Sequence, residues 1–222
     1  MKVFKNLITF LLCLTILFLF GCKNLSNTNN TDVSNGNNGS EDSVTYSKNL
    51  QYGLASNQKS YVVLGIGTCT DQTLIIPSSY NNLPVSAIDN NAFKNNENIT
   101  SVYIPKTVTI VKENAFSGCV KLRSVMFSGN STISIIDNYA FNNCESLEAF
   151  NFPSSIKIIG EYVFSGCKQL NSVTYDSNSS LEEIKAYAFN NCVILTGMRI
   201  PTTVKYIDET AFTGCKNLIT SK

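Results

Sequence analysis

Apolar and polar positions alternate in a repeating order along the second half of the chain. The phrase AFSGCVKLRSVMF runs from Ala115 to Phe127 and returns as AFNNCESLEAFNF from Ala140, VFSGCKQLNSVTY from Val163, AFNNCVILTGMRI from Ala188 and AFTGCKNL from Ala211. A looser copy, AFKNNENITSVYI, opens the series at Ala92. The leading residues stand 23, 25, 23, 25 and 23 positions apart. A fixed period in the twenties predicts a leucine-rich-repeat solenoid, with one short parallel strand per turn and an irregular or 3-10 convex side.

Within the unit at Ala140 the apolar positions are Ala140, Phe141, Cys144, Leu147, Phe150, Phe152, Ile156 and Ile159. From the leucine onward they end in period-two alternation, which predicts a short strand with every second side chain inward. Pro105, Pro153 and Pro201 follow that strand and end its pairing, because proline brings no N–H to a ladder. The alternate units carry SGNST (128–132) or DSNSS (176–180) there and are two residues longer, so the sequence period is 48 residues, a pair of unlike turns. One such turn is too small to fold alone, since domains below about 40 residues usually need staples. Stacking buries each Phe, Leu and Ile against its copies above and below.

Residues 44–91 have a different texture. Leu50, Tyr52 and Leu54 alternate, residues 55–60 are turn-like, and Tyr61 to Leu64 resume an apolar run. This predicts a β-hairpin that caps the N-terminal end of the repeats at 92–222. Cys69 lies there, outside the repeat frame. Residues 23–43, KNLSNTNNTDVSNGNNGSEDS, hold only Leu25 and Val33 as sizeable apolar side chains and predict a disordered tether. Its root-mean-square span would be roughly 25 Å. Ahead of it, Lys2 and Lys5 precede an apolar run from Leu7 to Phe20. That run is shorter than the ~20 residues of a spanning helix and suits the core of a signal peptide over residues 1–21.

Charge and composition narrow the function classes. The chain carries 17 basic and 16 acidic residues, so no net field points to nucleic acid. Histidine is absent, which removes the usual general base near neutral pH and the commonest metal ligand. No glycine-rich phosphate loop, metal-ligand spacing or Ser/His/Asp set occurs. The paired carboxylates Glu182-Glu183 and Asp208-Glu209 sit before the AF phrase and read as solvated loop positions. The chain is expected to be no enzyme and to use no cofactor or metal.

Two resemblances follow from these residues. Leu19-Phe20-Gly21-Cys22 resembles the lipobox of bacterial lipoproteins, although Phe20 is bulkier than that family usually places there. The resemblance implies cleavage before Cys22, acylation of Cys22 and a membrane anchor. From about residue 61 to 222, the phased Ile-Pro, Ala-Phe, Cys and Leu positions resemble the BspA-like leucine-rich repeats of bacterial surface antigens. Departures are Asn96 in place of the first cysteine, Val163 in place of alanine, and a last copy that stops soon after Leu218. This second resemblance implies a lipid-anchored protein of the bacterial envelope, at the outer membrane or cell surface. It would bind other proteins without catalysis, in adhesion or in contact with host or neighbouring cells. The alternative is a passive structural or antigenic envelope protein.

Three candidate features remain. Tyr103, Met126, Asn151, Thr174 and Arg199 form one outward column of the expected strands, beside a column of small residues, Ser101, Ser124, Ala149, Ser172 and Gly197. A partner could approach closely over the small column, with the larger one supplying anchors; an ordinary solvated sheet face is the other reading. Cys119, Cys144, Cys167, Cys192 and Cys215 form a ladder one turn apart, either a stack of buried thiols or a disulfide or metal ladder. An odd count without histidine favours the former. Finally, after Leu218 only Ile-Thr-Ser-Lys remains, so the last turn is expected to fray or to associate with another copy.

Overall fold

The computed structural model describes residues 45–219, all within one compact unit. The expected signal peptide, Cys22 and the tether at 22–43 lie outside the described residues. No helix occurs among the described residues, and the chain winds as a parallel β-solenoid with two strand ladders.

The first ladder is the expected one. Its strands are β3 (Thr73–Ile75), β6 (Ser101–Ile104), β8 (Ser124–Phe127), β10 (Ala149–Phe152), β12 (Ser172–Tyr175) and β14 (Gly197–Met198). They form two separate parallel sheets, β3-β6-β8 and β10-β12-β14. Period-two alternation acts as expected. Val102, Ile104, Val125, Phe150, Phe152 and Val173 are buried, while Tyr103, Met126, Asn151 and Thr174 between them are partly or fully exposed.

The second ladder was not foreseen from the pattern. It starts with the expected hairpin, β1 (Gln51–Leu54) antiparallel to β2 (Tyr61–Gly65). From β2 it runs in parallel through β5 (Leu83–Ile88), β7 (Ile110–Val111), β9 (Ile135–Ile136), β11 (Ile158–Ile159), β13 (Glu183–Ile184) and β15 (Tyr206–Ile207), with β4 (Ser79–Tyr80) beside β5. Most of these strands are two residues long, so no alternation is visible in sequence. Their pairing rests on inter-turn bonds, Lys112 N–H to the Ile88 carbonyl at 3.0 Å, Asp137 to Val111 at 2.9 Å, Gly160 to Ile136 at 3.0 Å and Lys185 to Ile159 at 3.0 Å. Glu183 lies in β13 and Glu182 pairs with Lys205 at 2.6 Å, so this carboxylate pair belongs to the ladder rather than to a loop.

Between the ladders sits a core of stacked columns. The phenylalanines of the AF phrase form one file: Phe93, Phe116, Phe141, Phe164, Phe189 and Phe212 stack with ring centroids 5.0–5.7 Å apart. All but Phe212 are buried. Aromatic pairs in such geometry add about 0.5–1.5 kcal/mol each beyond area burial. The backbone follows the file: Phe116 N–H bonds the Ala140 carbonyl at 2.8 Å and Phe164 N–H that of Ala188 at 2.7 Å. The AF phrase thereby ties successive turns together in addition to the strand ladders.

Candidate functional site

The structure sorts the outward column of the first ladder into two groups. Tyr103 and Met126 are register partners on β6 and β8, both half-buried, and Ile75 extends their row on β3. Asn151 and Thr174 are register partners on β10 and β12, both exposed. Thr174 Oγ1 donates to Asn151 Oδ1 at 2.9 Å, and Asn151 Nδ2 donates to Asp176 Oδ1 at 2.8 Å. The Asp176 carboxylate is thus held beside the column, a feature that residue spacing alone does not reveal. Arg199 is exposed one residue past the end of β14. The face therefore carries an apolar row on one sheet and a polar, hydrogen-bonded row on the other. The small column lies beside them: Ser101 is buried, Ser124, Ala149 and Ser172 are half-buried, and Gly197 is exposed with open space where a side chain would stand.

The cysteine ladder has a common geometry. Each thiol donates to the carbonyl of the phenylalanine one turn earlier: Cys119 to Phe93 at 3.1 Å, Cys144 to Phe116 at 3.2 Å, Cys167 to Phe141 at 3.3 Å, Cys192 to Phe164 at 3.2 Å and Cys215 to Phe189 at 3.0 Å. All five are free, the first four buried and Cys215 half-buried. Burial pushes the Cys119 thiol up to about 12 and holds Cys144 and Cys167 well above their ordinary value. Interaction with Cys215, then burial, raises Cys192 in the same direction. Thiols held neutral in this way are weak nucleophiles and weak metal ligands. In the first turn Asn96 replaces the thiol by a different bond, its Oδ1 accepting from Asn98 N–H at 2.9 Å and Ile99 N–H at 3.0 Å.

The turn that carries each thiol also accounts for the pairing of unlike units. The residue before the cysteine position alternates Asn95, Gly118, Asn143, Gly166, Asn191, Gly214, and all six have φ between 54° and 78°. A Cβ on Gly118 or Gly166 would stand 2.1 Å from the side-chain oxygen of Asn95 or Asn143, and one on Gly214 2.3 Å from that of Asn191. Each asparagine reaches over the next turn, and only glycine leaves it room. Two adjacent asparagine turns cannot stack here.

Across the second ladder, Ile110, Ile135 and Ile158 are register partners and half-buried on its outer side. Tyr139, Tyr162 and Tyr187 stack beyond them at 5.0 and 4.8 Å, each at positive φ. Sequence reading missed both files because they depend on which turns stack. Among the described residues no group of His, Cys, Asp and Glu side chains is placed to hold a metal.

Comparison with known proteins agrees with this architecture. Residues 86–219 match the model of the BspA type leucine rich repeat region in six copies. Among solved structures, the leucine rich repeat protein of T. pallidum is 31% identical, covers 79% of this chain and 80% of its own, and superposes with a TM-score of 0.72. A leucine rich cell surface protein from Faecalibacterium prausnitzii is 25% identical over 82% of this chain and 55% of its own, with a TM-score of 0.56. The pneumococcal vaccine antigen PcpA shares the fold at 21% identity and a TM-score of 0.64, over 79% of this chain and 48% of its own. This chain thus spans about half the length of the latter two. No curated protein matches it. Six phased copies, the stacked AF corner and the likeness to the T. pallidum protein lead to one conclusion: the chain belongs to the BspA-type leucine-rich-repeat family, a family of non-catalytic repeat scaffolds.

Proposed function

We propose that the chain is a lipid-anchored bacterial cell-surface protein that binds other proteins through the outer face of its first ladder, in adhesion or in contact with host or neighbouring cells. The observation that carries this reading is the face itself. It presents an apolar row, Ile75, Tyr103 and Met126, beside a polar row fixed by the Asn151–Thr174–Asp176 hydrogen bonds. Pre-ordered side chains on a rigid sheet lose little entropy on binding, and tyrosine and arginine anchors are enriched at interface hot spots. Related proteins described as a cell surface protein and a vaccine antigen support the location. The test compares adhesion of cells carrying the wild-type chain with cells carrying Tyr103→Ala and Arg199→Ala. Loss of adhesion at unchanged melting temperature supports binding through this face. Adhesion unchanged even when the whole chain is deleted would favour the passive structural or antigenic reading.

Anchoring is proposed through acylated Cys22, on the strength of Leu19-Phe20-Gly21-Cys22. Chains on such an anchor would share one membrane plane. Association of two copies through the last repeat is part of the same proposal. A concentration-independent monomer in sedimentation would remove that part of the proposal.

A further inference from the structure

The first ladder is broken at one place only among its described strands, between β8 and β10. Neighbouring strands on either side pair over four residues each, β6 with β8 and β10 with β12. Across the break no residues pair in register, and just ahead of the two strands Glu148 N–H bonds the Arg123 carbonyl at 3.2 Å. In a parallel ladder successive residues point their N–H and C=O to opposite neighbours. Because β8 is paired to β6 through Ser124 and Met126, and β10 to β12 through Phe150 and Phe152, the groups of Val125, Phe127, Ala149 and Asn151 are those that face the break.

One sequence feature sets this step apart from the others. The inward column reads Leu74, Val102, Val125, Phe150, Val173, Met198, and Phe150 alone is aromatic. Its ring packs among those of Phe127 at 5.7 Å, Phe141 at 5.4 Å, Phe152 at 4.7 Å and Phe164 at 4.8 Å, where a valine stands in the neighbouring turns. Added core volume of this kind is relieved by backbone displacement. A proline after the strand does not distinguish it. Ser128 N–H closes the end of the β6–β8 pair on the Ile104 carbonyl at 3.0 Å, and Asp176 N–H closes β10–β12 on Phe152 at 3.0 Å. At the corresponding position in the β8–β10 step stands Pro153, which has no hydrogen to give, but Pro105 and Pro201 hold the same position in the β3–β6 and β12–β14 steps, which do pair.

The second ladder is unbroken at the same level, with β9 paired to both β7 and β11. One side of the solenoid is continuous where the other is open. We propose that the solenoid is jointed at the β8–β10 seam: its two parts flex about the second ladder, and the seam opens and closes on the first. Met126 and Asn151 stand on opposite sides of the seam, so flexing changes the spacing between the apolar and polar rows. That consequence rests on the binding role proposed for those rows, whereas the joint itself is a property of the free protein.

Amide hydrogen exchange on the full mature chain, read residue by residue, tests the joint without any ligand. The seam amides of Val125, Phe127, Ala149 and Asn151 are expected to exchange at least about tenfold faster than Met126, Phe150 and Phe152, which alternate with them in the same strands. Lys157 and Gly160, whose N–H groups bond Ser134 and Ile136 across the same level on the second ladder, should exchange as slowly as the paired group. Uniformly slow exchange along β8 and β10 would overturn the proposal. So would fast exchange of Lys157 and Gly160, since the turns would then part on both sides instead of hinging. In Phe150→Val the four seam amides should slow towards their neighbours; if the folded variant leaves them fast, the assigned cause is wrong. Should that variant fail to fold, the alternation in the wild-type chain still decides.

Discussion

Gly166 shows how tightly a single position is set by its neighbour one turn away. Its φ of 76° suits glycine, and a Cβ there would meet Asn143 Oδ1 at 2.1 Å. Gly166→Ala should therefore cost more than the ~1–2 kcal/mol of a left-handed alanine alone. Adding Asn143→Gly should recover part of the loss, with a coupling above about 0.5 kcal/mol in denaturant titration. Strictly additive effects would show that the asparagine and glycine are not interlocked. The thiols give a second test at this scale. Cys119 titrates at about 12 in the fold against an ordinary 9.0, raised by burial. The unfolded chain loses this proton first, so stability is intact below pH 9 and falls as pH rises towards 12, by up to about 1.4 kcal/mol per pH unit for each such thiol. Melting should drop between pH 8 and pH 11, and Cys119→Ala should make that drop smaller. An equal drop in the variant would contradict the assignment. Residue types such as the core phenylalanines and leucines were legible in the sequence because burial selects them by polarity. The Asn–Gly interlock was visible only as an alternation of letters, since its reason is a distance between turns.

At the scale of elements, the strands of the first ladder could be read from period-two alternation, and the hairpin from two apolar runs about a turn. The second ladder could not. Ile110–Val111 and Ile158–Ile159 are strands only because copies lie above and below to accept their bonds. For the same reason the side opposite the first ladder is better ordered than an irregular one. The phenylalanine file is what the elements pack on, and Phe141 touches rings on both sides, Phe116 at 5.3 Å and Phe164 at 5.7 Å. Phe141→Ala should cost about 3–5 kcal/mol as a core truncation. A loss below about 0.5 kcal/mol, within the range of ordinary surface changes, would mean that the file does not bear the packing assigned to it. The candidate site was partly legible: spacing placed Tyr103 beside Met126 and Asn151 beside Thr174. It did not show that the ladder parts between these pairs, because that depends on how much volume Phe150 brings into a column of smaller side chains.

For the whole molecule, stability is a sum over contacts between adjacent turns, and function depends on where the solenoid is displayed. Cys22→Ser should release the protein from the membrane fraction into the soluble one if acylation at this residue is the anchor. The surface reading itself is tested most directly by digesting intact cells with protease while following the repeat domain against a periplasmic control protein. The account predicts loss of the repeats from the cell while the control stays whole. Repeats that survive until the cells are lysed would contradict a surface scaffold and place the chain inside the envelope.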